Sequence, residues 1–138
     1  MPLNQENSEQ LHNFTAHKQN QLIRGREISA VELVQLTLDR IEKIEPQLNA
    51  FILPTPESAL KAAEQADLRF AGQGPPPGPL TGIPFLIKDN ISTCGIPTTA
   101  GSKILQGYTP PYDSEVVSRL KKAGAVIVGK GNLDEFAM

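Results

Sequence analysis

Lys88 is the residue with the clearest chemical potential, because it follows three large apolar residues in the stretch IPFLIKDN, residues 83–90. The apolar run predicts a buried strand, and a lysine at the end of such a strand has two interpretations. Its long side chain can carry the ammonium to solvent. Alternatively, burial lowers the pKa of a lysine amine, and a neutral amine can serve as a base that activates a hydroxyl. The residues alone leave both interpretations open.

The loop after Lys88 is rich in hydroxyl groups. Active sites of parallel sheets lie beyond the carboxyl ends of strands, which is where Lys88 stands. Asp89 and Asn90 are predicted to bond to backbone in the turn that follows the strand. Any of five hydroxyl side chains could form hydrogen bonds within a site: Ser92, Thr93, Thr98, Thr99 and Ser102.

Other familiar chemistries are poorly supported. His12 and His17 are five residues apart, so they do not share a helix face and do not predict a zinc site. The acidic pair Asp134–Glu135 is interpreted as the start of a helix, where acids are favourable, rather than as a catalytic pair. GKGN, residues 129–132, stands where a phosphate loop would, but it matches neither the P-loop nor the dinucleotide-binding pattern.

The composition is that of a folded domain. The 138 residues carry 13 basic and 15 acidic side chains, and a net charge of −2 gives no electrostatic reason for tight binding to nucleic acid or a membrane surface. Cys94 is the single cysteine, so no internal disulfide can form and a reducing compartment fits. The chain has no secretory signal and no run of about 18 apolar residues, so we predict a cytoplasmic location.

The first half is predicted to be mainly helical. One helix ends near Gly25, and a second begins at the capping box Ser29–Glu32 and ends at Pro46. A short strand, 50–53, precedes a third helix that Thr55 caps and Gly72 closes. The residues to about Ser8 are predicted to be frayed.

The second half is predicted to contain a strand–helix–strand unit. The proline- and glycine-rich stretch 72–79 is interpreted as a loop, and a strand at 83–88 follows. A helix capped by Asp113 or Ser114 ends at Gly124, and AVIVG then forms the next strand. We therefore expect an α/β fold: N-terminal helices plus the first strands of a mixed sheet covered by helices.

Two longer stretches resemble the amidase signature family. They are LTGIPFLIKDNISTCGIPTTAGS, which begins at residue 80, and DSEVVSRLKKAGAVIVGKGNLDEFAM, residues 113–138. The spacing GIP-x-x-x-KDN is specific to the family. Within it, GIPTT and NLDEFAM are most similar to the A subunit of the Glu-tRNA(Gln) amidotransferase. Gly131 departs from the pattern, since the family more often has threonine there.

The resemblance implies a Ser–cis-Ser–Lys triad in which Lys88 is the lysine. The neutral amine would relay a proton through a bridging serine from a nucleophilic serine, which attacks an amide and forms an acyl-enzyme. Both serines belong to a Gly/Ser-rich segment that residues 1–138 do not contain. Lys88 is therefore the only catalytic residue expected here, and the chain by itself is predicted to be inactive.

The resemblance also implies partners. Glutamine would supply ammonia, which travels to a B subunit where ATP and Mg²⁺ are expected and where Glu-tRNA becomes Gln-tRNA. A C subunit would complete this heterotrimeric ligase of protein biosynthesis. No cofactor or metal is expected in this chain, tRNA would be reached through the B subunit, and no membrane is involved.

We expect residues 1–138 to form the N-terminal part of one amidase domain. Residues 1–72 would be a helical layer and 80–138 the start of the catalytic core. Asn132 and Glu135 resemble a capping box that opens a helix, so a chain ending at Met138 is interpreted as cut from something longer. Two alternatives remain: a general amidase that hydrolyses small amides, and a non-catalytic interaction module in which Lys88 is only a surface residue.

Overall fold

The structure is a computed structural model that describes residues 11–138, so the predicted fraying to Ser8 lies outside the described residues. Short 3-10 turns occur at Leu11–Asn13, Lys103–Leu105 and Glu135–Ala137. Within this range the helices and strands are α1 (Ala16–Arg24), α2 (Ala30–Leu48), β1 (Phe51–Pro54), α3 (Pro56–Phe70), β2 (Pro84–Lys88), α4 (Glu115–Ala123) and β3 (Val126–Gly131).

Two of the three predicted side-chain caps form at the helix starts, and the one at Thr55 does not. The Ser29 hydroxyl accepts from the backbone N–H of Glu32, and the Glu32 carboxylate accepts from that of Ser29, which confirms the capping box. Ser114, rather than Asp113, caps α4 through the N–H of Val117. Thr55 precedes α3, but its side chain makes no capping bond.

The end of α2 was predicted at Pro46, and this is wrong by two residues. Pro46 lies inside the last turn, and the helix ends at Leu48 with Asn49 in the left-handed conformation, φ 51°. A proline so near the end lacks one intrahelical hydrogen bond but has little helix left to disrupt.

The three described strands form one mixed sheet in the order β1–β3–β2. β2 and β3 are parallel, with α4 as their connection, whereas β1 runs antiparallel to β3. The parallel pair and the mixed sheet confirm the predicted fold class.

Helices cover both faces of this sheet. On one face, α1, α2 and α3 pack against Ile83, Val126 and Val128 in the larger core. On the other face, Val117 of α4 packs against Ile87 and Ile127 in a smaller core. The carboxyl ends of β2 and β3 therefore emerge together between two helical layers.

The predicted helix in NLDEFAM is wrong. Glu135–Ala137 form a 3-10 turn in which Phe136 is left-handed, φ 55°. Asn132 does not cap a helix, because its amide donates to the Asn49 carbonyl at 2.8 Å. Glu135 does not reach back to Asn132 either, since it accepts a hydrogen bond from the Ser102 hydroxyl at 2.7 Å. These contacts attach the segment to the junction between α2 and β1 and to the loop after β2.

Candidate functional site

Lys88 is the last residue of β2 and pairs with Gly131 at the end of β3. Its side chain is exposed in this chain, so the burial that its role as a base requires is not provided by residues 11–138. No hydrogen bond or ion pair joins its ammonium to any residue that the structure describes. Gly131 adds no side chain beside it, and an added Cβ would lie 3.2 Å from the Leu86 side chain. The catalytic role of Lys88 stays a prediction.

The buried lysine of this region is Lys130, which the sequence presents only within GKGN, an incomplete match to a phosphate loop. It belongs to β3, the central strand of the described sheet, and its exposed fraction is 0%. Its ammonium donates to the Thr98 hydroxyl at 2.8 Å and to the Ile91 carbonyl at 3.0 Å. It also lies 3.1 Å from Oδ1 of Asp89, an ion-pair distance whose angle is not that of a hydrogen bond.

A bulge in β3 decides where Lys130 points. Phe85 pairs with Ile127, but the next residue, Leu86, pairs with Gly129, so β3 carries one extra residue. Side chains alternate between faces along a regular strand, and a bulge changes the face of those that follow. Lys130 therefore lies opposite Ile87, on the side of the smaller core.

Asp89 is the centre of the hydrogen bonds after β2. It is fully buried, and its Oδ2 accepts from the Thr99 hydroxyl at 2.6 Å and from the Thr99 N–H at 2.9 Å. Its own N–H donates to the Gly131 carbonyl, and its carbonyl accepts from Ala100, both at 3.0 Å. The Asp89 side chain does bond to backbone, but the predicted bond within the turn is wrong, because its partner is the Thr99 N–H ten residues away. No side-chain bond of exposed Asn90 occurs among the described residues.

The predicted hydroxyl loop is therefore partly a structural frame. The Thr98 hydroxyl accepts a hydrogen bond from Lys130. The Thr99 hydroxyl donates to Asp89, and the Ser102 hydroxyl donates to Glu135. Thr93 is buried and donates to the Ile91 carbonyl at 3.2 Å. These hydroxyls shape the loop after β2 and are not gathered around the Lys88 ammonium.

Electrostatics distinguish the two lysines of this site. Burial lowers the pKa of the Lys130 amine, while the neighbouring carboxylate of Asp89 acts in the opposite direction. A carboxylate at this distance favours the protonated amine, and the Lys130 side chain is 0% exposed. Lys130 is thus suited to hold its neighbours in place rather than to exchange protons with a substrate.

Metal chemistry has no evident location in this part of the molecule. Across residues 11–138, no group of three or more His, Cys, Asp or Glu side chains is arranged to hold a metal ion. Cys94 is exposed, and its backbone N–H donates to Asp113, which fixes the loop against the start of α4. None of the described helices has the length and apolar character needed to cross a bilayer.

Comparison with known proteins settles the family. The amidase family model matches residues 32–138, which is most of the chain. The chain belongs to the amidase family. It is 52% identical over 129 residues to the A subunit of the glutamyl-tRNA(Gln) amidotransferase of Carboxydothermus hydrogenoformans, with 94% of this chain and 26% of that protein covered. The chain thus spans about a quarter of the length of the curated relatives it matches.

Solved amidase structures have the same fold. The peptide amidase of Stenotrophomonas maltophilia is 40% identical, with a TM-score of 0.79 over 88% of this chain and 25% of its own. A bacterial aryl acylamidase of the amidase signature enzymes is 28% identical, with a TM-score of 0.82 over 89% of this chain and 26% of its own. The resemblance drawn from GIP-x-x-x-KDN is therefore confirmed at the level of family and fold.

Proposed function

We propose that this chain is part of the A subunit of a Glu-tRNA(Gln) amidotransferase, in which Lys88 is the base of glutamine hydrolysis. The observation that carries the proposal is the 52% identity to such a protein over 94% of the chain. The position of Lys88 supports it, because the residue ends a parallel strand at the edge where active sites of such sheets lie.

The mechanism requires two serines in addition to Lys88. The neutral amine of Lys88 accepts a proton that passes from the nucleophilic serine through the bridging serine. The serine oxygen then attacks the glutamine carbonyl, ammonia leaves with the returned proton, and water hydrolyses the acyl-enzyme. The same serine segment would cover the exposed Lys88 side chain and exclude water from it, which the amine needs to be neutral near pH 7.

The proposal assigns the remaining chemistry to partners. Ammonia reaches the B subunit, which binds ATP, Mg²⁺ and tRNA, and a C subunit joins the two in the cytoplasm. No step in this chain passes through ATP or a metal ion. The net charge of −2 is consistent with tRNA being held elsewhere in the complex.

A chimeric amidotransferase tests the role of Lys88. In it, this chain replaces the matching segment of the Carboxydothermus hydrogenoformans protein, and the product is assembled with that organism's partner subunits. We expect Lys88→Ala to lower kcat for glutamine hydrolysis by about 10²- to 10⁴-fold, the usual contribution of a positioned base. Lys103→Ala is the matched control, because Lys103 is also an exposed lysine beside this loop.

Both results have a defined meaning once circular dichroism shows that the variants are folded. Loss of turnover in Lys88→Ala alone supports the proposal. Near-normal turnover in Lys88→Ala would reduce Lys88 to a surface residue and refute its catalytic role.

A general amidase is the second candidate. It is favoured by the 40% identity to a peptide amidase, which exceeds that to the aryl acylamidase. Substrate range separates the two functions in this chain's own complete protein. Glutamine hydrolysis that rises when charged tRNA and ATP are added supports the amidotransferase, whereas tRNA-independent hydrolysis of simple amides supports the general amidase.

A further inference from the structure

A fully buried ion pair lies one residue beyond Lys88, and the proposed mechanism does not use it. Asp89 and Lys130 both have an exposed fraction of 0%, and their charged atoms are 3.1 Å apart. Taking two charges out of water is unfavourable unless further hydrogen bonds satisfy them. A packed apolar pair would stabilise the same position at least as well, so the pair calls for an explanation beyond stability.

All contacts of the Lys130 ammonium go to the segment that immediately follows Lys88. They reach Asp89, Ile91 and Thr98 at 2.8 to 3.1 Å. An ammonium has three donors, and here it donates to Ile91 and Thr98 while the ion pair holds Asp89. A single cation on the central strand therefore fixes three points of the loop relative to β3.

The same points hold the backbone of Lys88 from both sides. The Asp89 N–H donates to the Gly131 carbonyl, and the Ile91 N–H donates to the Lys88 carbonyl, both at 3.0 Å. This backbone sets the point and direction from which the Lys88 side chain leaves the strand. A displaced turn would move the amine with it.

We propose that Lys130 is a positioning residue: its buried ammonium, in contact with Asp89, Ile91 and Thr98, fixes the turn after β2 and thereby aims Lys88 at its hydroxyl partner. The inference rests on the proposed function of Lys88. A positioning role explains why a charge is retained in a core position, because the ammonium can donate to a carbonyl and a hydroxyl while it pairs electrostatically with a carboxylate.

The bulge in β3 is needed for the same contacts, because it turns Lys130 toward the loop. Without the extra residue, Lys130 would alternate onto the face of Val126 and Val128, inside the larger core. Gly129 permits the close approach of β1 there, since a Cβ would come within 2.7 Å of the Leu53 carbonyl oxygen. The strand is thus shaped so that this lysine reaches the loop.

The test uses the chimeric amidotransferase with two variants. Lys130→Met removes the cation but leaves Asp89 buried with an unpaired charge, so it also weakens the fold. Asp89→Asn combined with Lys130→Met removes both charges and retains an acceptor for Thr99. Lys121→Met is the matched control, since Lys121 pairs with Asp113 at 2.8 Å at the surface and is 42% exposed.

For the double variant we expect kcat for glutamine hydrolysis to fall about 100-fold with KM nearly unchanged, because displacement of a reacting group by about 1 Å has that effect. The urea midpoint of unfolding falls in Lys130→Met, and in the double variant it should return most of the way to the wild-type value. Thr98→Val removes a single bond and should lower kcat about two- to tenfold. Lys121→Met should match the wild type in kcat and KM.

A purely structural pair gives a different result. If the folded double variant and Thr98→Val both keep the wild-type kcat, the positioning role is overturned even when Lys130→Met is unstable. Failure of the proposed function is visible separately, because Lys88→Ala would then retain activity. Loss of kcat in Lys88→Ala and in the double variant, with KM unchanged in the latter, supports the proposal.

Discussion

At the scale of single residues, two lysines follow apolar strand sequences, and they differ in burial. FLIK ends on an exposed Lys88, whereas AVIVGK ends on a Lys130 that is wholly buried. Each could be recognised from the sequence as a lysine at a strand end. Which one is buried depends on strand order and on a bulge, and neither can be read from the pattern of apolar residues.

The stability of the pair can be measured locally. Removing one member of a buried ion pair typically costs about 3–5 kcal/mol, because the other charge stays buried without a partner. We expect Lys130→Met to lower the opening free energy of the amides in 98–102 by that amount, measured by hydrogen exchange in the chimera. Lys121→Met should change it by less than about 1 kcal/mol, since exposed pairs contribute little.

A decrease of similar size in both variants would contradict this expectation. It would mean that the Asp89–Lys130 contact contributes no more than a surface pair, despite its burial.

At the scale of secondary-structure elements, local rules predicted most of the chain. The capping box at Ser29, the cap at Ser114, the proline at the start of α3 and the glycine after α4 all act through neighbouring backbone, so the sequence displays them. The segment after β3 was predicted wrongly as a helix. Its conformation depends on Asn49 and Ser102, which are distant in sequence.

Gly124 provides a sharp test of the α4–β3 junction. It is left-handed, φ 93°, and an added Cβ would come within 2.7 Å of the Thr81 Cα. Gly124→Ala therefore combines a conformational cost of about 1–2 kcal/mol with a backbone clash. We expect the opening free energy of β3 amides to fall by more than about 2 kcal/mol in hydrogen exchange.

Gly72→Ala is the matched control for this substitution. Gly72 is also left-handed, φ 82°, but an added Cβ would meet nothing within 4 Å. Its replacement should cost only the conformational part, about 1–2 kcal/mol, and only in its own loop. Equal effects of the two substitutions on β3 would argue against a clash at Thr81.

At the scale of the whole molecule, the fold and family followed from the sequence, while the geometry of the site followed only from the structure. Helices on both faces of a mixed sheet were expected from continuous apolar strands separated by amphipathic helices. The division into a helical layer at 1–72 and a core at 80–138 stays a prediction, as does a catalytic Lys88. β1 lies in the first of these ranges yet pairs with β3 of the second.

The buried amine gives global stability a pH dependence of known sign. Burial lowers the pKa of Lys130 from its ordinary value of 10.5, against the attraction of Asp89. Between the lowered and the ordinary value, the unfolded chain binds more protons than the folded one, so the free energy of unfolding rises with pH in that window. Below the lowered pKa this group contributes no slope.

Urea unfolding at about pH 8 and pH 10 measures this slope, since the ordinary pKa of lysine is near the upper value. The free energy of unfolding is measured for the wild-type chimera and for the Asp89→Asn, Lys130→Met double variant. The difference, wild type minus double variant, should be larger at about pH 10 than at about pH 8. A decrease would mean that the folded protein holds the Lys130 proton more tightly than the unfolded chain does.

Lys130 contacts residues that come much earlier in the sequence, and this has a consequence for biosynthesis. Its partner Ile91 precedes it by 39 residues, so a ribosome that has just added Ile91 has not yet supplied the cation that fixes the turn. At about 5–20 residues per second, that interval lasts roughly two to eight seconds. Throughout this time the Asp89 carboxylate lacks its cationic partner, and the turn after β2 can form its final contacts only after β3 has been translated.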